Sequence, residues 1–97
     1  MTNCKIKAIL TPDGFPREDG RYPQRGGSIV RLNDDLLVGY PIAWIYIKDA
    51  EGNDKFGQIT TSPIERVRIT GEYTKSGNEV EITVYTRNSI YVFEPVV

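Results

Sequence analysis

Residues 79–87, EVEITVYTR, decide the fold class. Val80, Ile82 and Val84 alternate with Glu79, Glu81, Thr83 and Tyr85. That is the period-two pattern of a strand with one face in a core and the other in water. On its N-terminal side Lys75–Asn78 (KSGN) predicts a tight turn, and on its C-terminal side Arg87-Asn88-Ser89 predicts another. Ile90–Phe93 then forms a last strand, stopped by Pro95.

The same reading extends backwards. Ile64–Thr70 alternates weakly, with Val67 and Ile69 inward and Arg66 and Arg68 outward, and Ser62-Pro63 marks a corner before it. Ile42–Lys48 (IAWIYIK) is β-branched and aromatic on both faces and reads as the central strand. Asp49–Asn53 (DAEGN) turns the chain into a partner strand at Lys55–Thr61. Leu36–Gly39 is short and apolar, and Pro41 prevents a regular central strand there. Asn33-Asp34-Asp35 is a turn signal after a short strand at Ser28–Leu32. The first strand places Cys4, Ile6, Ala8 and Leu10 inward, alternating with Lys5, Lys7 and Ile9.

No ten-residue window carries helical periodicity. The expectation is one all-β domain over residues 1–97, with six to seven short strands and one long N-terminal loop. A small β-barrel of the SH3-like or OB-like kind suits this length, because closing the sheet hides strand edges. Gly39, Gly57 and Gly71 are the candidates for its bends. Strand edges left open would favour a homo-oligomer.

Hydrophobic residues make up 39% of the chain and charged residues 26%, the balance of a folded globular protein. Net charge is −1, too small for a general attraction to nucleic acid or an acidic membrane. The charge is uneven: residues 1–31 hold six basic and three acidic side chains, residues 32–97 six basic and ten acidic. Cys4 is the only cysteine, so no internal disulfide forms, and a core position in the first strand is expected. No apolar run reaches membrane-spanning length and no secretory leader is evident, so the expected location is cytoplasmic.

Catalytic chemistry finds little material. The chain has no histidine, which removes the commonest general base and, with one cysteine, the usual zinc ligands. Glu79 and Glu81 point to water, Asp34-Asp35 lie in a turn, and residues 49–54 lack the ligand register of a calcium loop. No enzyme activity, metal or cofactor is expected.

What remains is Thr11–Gly27, TPDGFPREDGRYPQRGG. Three prolines and four glycines keep it out of long strand or helix, and loops of this length in small domains are usually functional or disordered. Arg17, Arg21 and Arg25 offer planar forks for carboxylate or phosphate. Phe15 and Tyr22 offer rings, and Gly26-Gly27 suits an anion nest. The alternative is a solvated loop whose arginines pair with Asp13, Glu18 and Asp19. Trp44, Tyr46, Tyr85 and Tyr91, at outward or ambiguous strand positions, form a second candidate surface. Stacking of single-stranded nucleic acid there is disfavoured by Glu79 and Glu81 on the face of Tyr85.

Ile59–Ile64 (ITTSPI) and Thr86–Glu94 (TRNSIYVFE) resemble a pattern of small, uncharacterised β-rich accessory proteins of phages and mobile elements. The resemblance covers about fifteen residues and implies a compact protein that acts by binding, inhibitors of host defence systems included. It transfers no catalytic residue. The expected function is therefore a non-catalytic binding protein that sequesters or blocks a host protein or its ligand. Phe15, Arg17, Arg21, Tyr22, Arg25 and Trp44 are its candidate contacts. The alternatives are a module for an anionic small molecule such as a nucleotide or phosphate, and a structural protein forming oligomers.

Overall fold

The computed structural model describes residues 2–32, 36–71, 73–74, 77–78 and 80–96, without the side chains of 2, 73, 74, 77 and 78. Six of its strands form one antiparallel sheet that closes into a ring. They are β1 (Thr2–Leu10), β2 (Ile29–Leu32), β3 (Pro41–Lys48), β4 (Gln58–Thr70), β7 (Glu81–Thr86) and β8 (Ile90–Pro95). Each pairs with a neighbour on both sides, and β8 returns to β1. A two-residue pair, β5 (Tyr73–Thr74) with β6 (Gly77–Asn78), stands apart from the ring. A single helical turn, α1 (Tyr22–Arg25), interrupts the long N-terminal segment. None of the described helices is long and apolar enough to cross a membrane. The turns expected at Asn33-Asp34-Asp35 and at Lys75-Ser76 lie outside the described residues, as does Glu79.

The pairing around the ring is partial along each long strand: β1 meets β2 over residues 2–5 and β8 over residues 4–10.

Trp44 sits at the centre of the core, fully buried, with its ring edge-on to Tyr91 at 5.2 Å and to Phe93 at 5.6 Å. Cys4, Ile6, Ile9, Val30, Leu32, Ile42, Ile64 and Val84 complete the cluster. Trp44 and Tyr91 are thus core residues and not a presented surface, which corrects the reading of strand aromatics as contacts. The alternation in Ile42–Lys48 is apolar on both sides, so the sequence pattern left open which face was inside. The ring settles it by enclosing the larger side chain.

Two further corrections concern the placing of single side chains. Ile9 is buried where Ala8 and Leu10 were expected inside. The register between β1 and β8 slips between Ile6 and Ala8, so Lys7 is an extra residue that reverses the side-chain phase. In β4 the register slips between Ile64 and Arg66; beyond it Val67 packs against the core as expected, while Ile69, on the same face but near the end of the strand, is 66% exposed. A bulge is silent in a pattern of apolar and polar letters, yet it moves every later side chain to the other face.

The corner expected at Ser62-Pro63 lies inside one long strand. Residues 58–63 of β4 pair with β3, and residues 64–70 pair with β7. Pro63 has no N–H to give, and the neighbouring backbone pairs with the preceding loop instead. The Gly39 N–H donates to the Ile64 carbonyl at 2.7 Å, and the Ile64 N–H donates to the Tyr40 carbonyl at 2.9 Å. Gly39 has φ +92°, which a side chain would resist.

The turn at Asp49–Asn53 forms as expected. The Asp49 carboxylate accepts from the Glu51 N–H at 3.0 Å and the Asn53 N–H at 2.9 Å, an Asx-type turn closed by Gly52 at φ +87°. The Asn53 N–H, with the Glu51 N–H, holds the Asp49 carboxyl below the usual carboxylate range. A depressed folded-state value contributes stability above the ordinary carboxylate range, and this is lost as pH falls through the depressed one. Asp49→Asn keeps an acceptor oxygen but cannot titrate. The variant is expected to show a flatter urea midpoint than the parent from roughly pH 5 to pH 2, measured by tyrosine and tryptophan fluorescence.

Candidate functional site

The long segment is an anchored arm. Thr11 closes a turn on Phe15: its N–H donates to the Phe15 carbonyl at 2.7 Å and its hydroxyl accepts from the Phe15 N–H at 3.2 Å. Leu10 bridges to Pro16, and the Arg17 N–H donates to the Ile9 carbonyl at 2.9 Å. The arm therefore runs back along the end of β1. Pro23 then sits in the first turn of α1, where its missing N–H costs nothing. The prolines and glycines that excluded long helix allow one turn, so Arg21 and Arg25 flank a helical turn instead of a wholly irregular stretch.

The three arginines have different fates. Arg17 is a strap: its Nε lies 3.2 Å from Asp19 Oδ1, and its Nη1 donates to the Asn88 carbonyl and to Ser89 Oγ. It ties the arm to the β7–β8 turn, which is itself knotted by Thr86 Oγ1 donating to the Ser89 carbonyl at 2.8 Å. Tyr22 packs against the core, and the guanidinium carbons of Arg17 and Arg25 lie over its ring at 4.5 Å and 4.9 Å. Arg21 is exposed and has no ion-pair or hydrogen-bond partner for its side chain among the described residues. Arg17–Asp19 is the one ion pair within the arm among these residues, so neutralisation by local acids is only partial. Gly27 forms no anion nest, because its N–H donates to the Ile6 carbonyl at 2.8 Å.

A groove of about 290 Å3 opens between α1 and the β3–β4 hairpin, lined by Arg21, Gln24, Arg25, Tyr46 and Lys55 through Ile59. Its cationic side chains come from both walls, and among the described residues no carboxylate lines it. Asp49, Glu51 and Asp54 line an adjoining depression that shares Gln24 and Lys55 with the groove. Lys55 is held in place: its Nζ donates to Ser28 Oγ at 3.1 Å and lies 4.2 Å from the centre of the Tyr46 ring. Burial pushes the Lys55 ammonium down; Asp49 pulls it back, and the Arg25 charge pushes it down further.

The hairpin explains why Phe56 is here. The Lys55 N–H donates to the Ile47 carbonyl at 3.1 Å, and the Tyr46 N–H donates to the Gly57 carbonyl at 3.0 Å. Phe56 is left between these bonds and turned outward, 89% exposed, beside Gly57 at φ +135°. Strand pairing proper begins only at Gln58, not at Lys55 as expected. Burial also pushes the Tyr46 hydroxyl up, although the Trp44 indole N–H nearby pulls partly back without reaching hydrogen-bond geometry.

Of the six expected contacts, the groove brings together Arg21 and Arg25. Phe15 is exposed on the Thr11–Phe15 turn and does not line it, Arg17 and Tyr22 build the arm, and Trp44 is buried. Sequence reading did not select Lys55, Phe56, Gln24 and Gln58. The available signal was Lys55-Phe56-Gly57, where a large ring next to glycine follows a polar turn and breaks the alternation. The chain matches no protein-family model, no curated protein and no solved structure.

Proposed function

We propose that this chain is a non-catalytic binding protein that holds an anionic partner in the groove between α1 and the β3–β4 hairpin. Sequestration or steric blockade is the mechanism, and the closed six-stranded ring, read as a small barrel of the SH3-like or OB-like kind, is the rigid scaffold. The observation that carries the reading is Arg21, Arg25 and Lys55 in one lining that holds no carboxylate among the described residues. Like charges brought together in this way repel one another, and an anion between them relieves that repulsion and the desolvation of Lys55. The resemblance to accessory proteins of phages and mobile elements supports a host defence protein or its ligand as the biological target.

The test uses inorganic pyrophosphate as probe, followed by isothermal titration at low ionic strength. Binding is expected in the parent. The Arg21 side chain has no partner among the described residues, so Arg21→Ala is expected to leave the urea midpoint unchanged and to weaken binding by roughly tenfold, the worth of a charged hydrogen bond. No heat of binding in the parent, or an undiminished affinity in Arg21→Ala, overturns the proposal.

A further inference from the structure

The groove is not lined by cations alone, and the rest of its lining narrows the class of ligand. Phe56 lies beside Lys55 with 89% of its surface in water, a ring held outward by the irregular pairing around Gly57. No described residue stacks on it. Tyr46 cannot take that part, since Lys55 already lies over its ring. Gln24 and Gln58 both line the groove, and neither side-chain amide has a hydrogen-bond partner among the described residues. Each amide offers a donor and an acceptor at once. The groove therefore combines fixed positive charge, one uncovered aromatic face, and two free amides.

We infer that the ligand is a nucleotide: a phosphate group against Arg21 and Lys55, and a planar base stacked on Phe56 with its edge within reach of Gln24 or Gln58. This inference rests on the anion-binding reading and deepens it. An acidic protein segment would use the cations but would leave Phe56 and the amides without a role. Bare phosphate would do the same. The volume, about 290 Å3, sits at the lower end of ligand pockets and suits one nucleotide unit better than a dinucleotide. The groove is open, so affinity is set by the stack and the charges and not by enclosure.

The experiment titrates the full chain with adenosine 5′-diphosphate, uridine 5′-diphosphate, inorganic pyrophosphate and adenosine. Stacking of a base on an aromatic side chain is worth enough to change affinity by about tenfold or more. Adenosine diphosphate is expected to bind about tenfold more tightly than pyrophosphate. Phe56→Ala is expected to erase that advantage while leaving pyrophosphate binding and the urea midpoint unchanged, because the ring touches little of the fold. Phe56→Trp is expected to restore the advantage. If both diphosphate nucleotides bind no better than pyrophosphate, the nucleotide inference fails and the anion reading stands. If neither nucleotide nor pyrophosphate binds, both fail together.

Discussion

Trp44→Ala is expected to unfold the chain or bring it to the edge of unfolding. The indole is fully buried and packs edge-on against Tyr91 and Phe93, which lie on β8 across the ring from β3. Truncating a large buried aromatic costs roughly 3–5 kcal/mol, because the transfer energy is lost and the surrounding shell collapses only in part. A domain of this size has about 5–15 kcal/mol in total. In thermal melts followed by circular dichroism the expected shift is a fall of more than about 12 °C. Trp44→Phe retains an aromatic ring and is expected to lose distinctly less. Equal melting of Trp44→Ala and the parent would contradict the central position of this ring.

Gly27→Ala is expected to be nearly as damaging, for a different reason. Gly27 has φ +80°, a conformation that L-residues adopt at a cost of about 1–2 kcal/mol. A Cβ built there would also lie 2.8 Å from the Cβ of Ala50, closer than two carbons approach. Ala50 belongs to the Asp49–Asn53 turn, whose backbone is fixed by the Asp49 carboxylate, so it cannot move aside easily. Overpacking of this kind adds roughly 1–3 kcal/mol. The combined loss is therefore about 2–5 kcal/mol in urea unfolding. Ala50→Gly in the same chain is expected to recover the overpacking part and leave the backbone part, so the double mutant should be more stable than Gly27→Ala alone. Relief of the clash is expected to move the hairpin away from the arm and to separate Lys55 from Arg21 and Arg25. Gly27→Ala is accordingly expected to lose pyrophosphate binding even at temperatures where it remains folded.

The fold class was legible because alternation is a direct consequence of pleated geometry. Val80, Ile82 and Val84 stand where a period of two puts them, and the all-β reading follows. The phase of the alternation was not legible wherever the ladder slips. The extra residue Lys7, between Ile6 and Ala8, leaves no mark in the letters, so Ile9 was placed on the wrong face; Ile69 keeps the face of Val67 but lies near the end of β4, where a period of two says nothing about burial.

The site was half legible for a similar reason. An arginine-rich arm between strands could be seen, but which arginines it uses to hold itself depends on where the chain returns. Arg17 finds Asn88 and Ser89 seventy-one and seventy-two positions away, a meeting that no local pattern encodes. Lys55 and Phe56 come from the opposite wall of the groove and join Arg21 only because the β3–β4 hairpin packs beside α1.

The pairing of β1 with β8 has a kinetic meaning. The register joins Cys4 to Pro95 and Leu10 to Ile90, so the contacts that close the ring span nearly the whole sequence. Loop-closure entropy must be met before those contacts give anything back, which makes refolding slow for a chain of this size. The arm leans on both partners, through the Ile9 carbonyl on one side and Ser89 on the other. Recognition therefore ripens late: an intermediate with most of its hairpins in place would still be blind to ligand, and binding would appear in step with the slowest refolding phase.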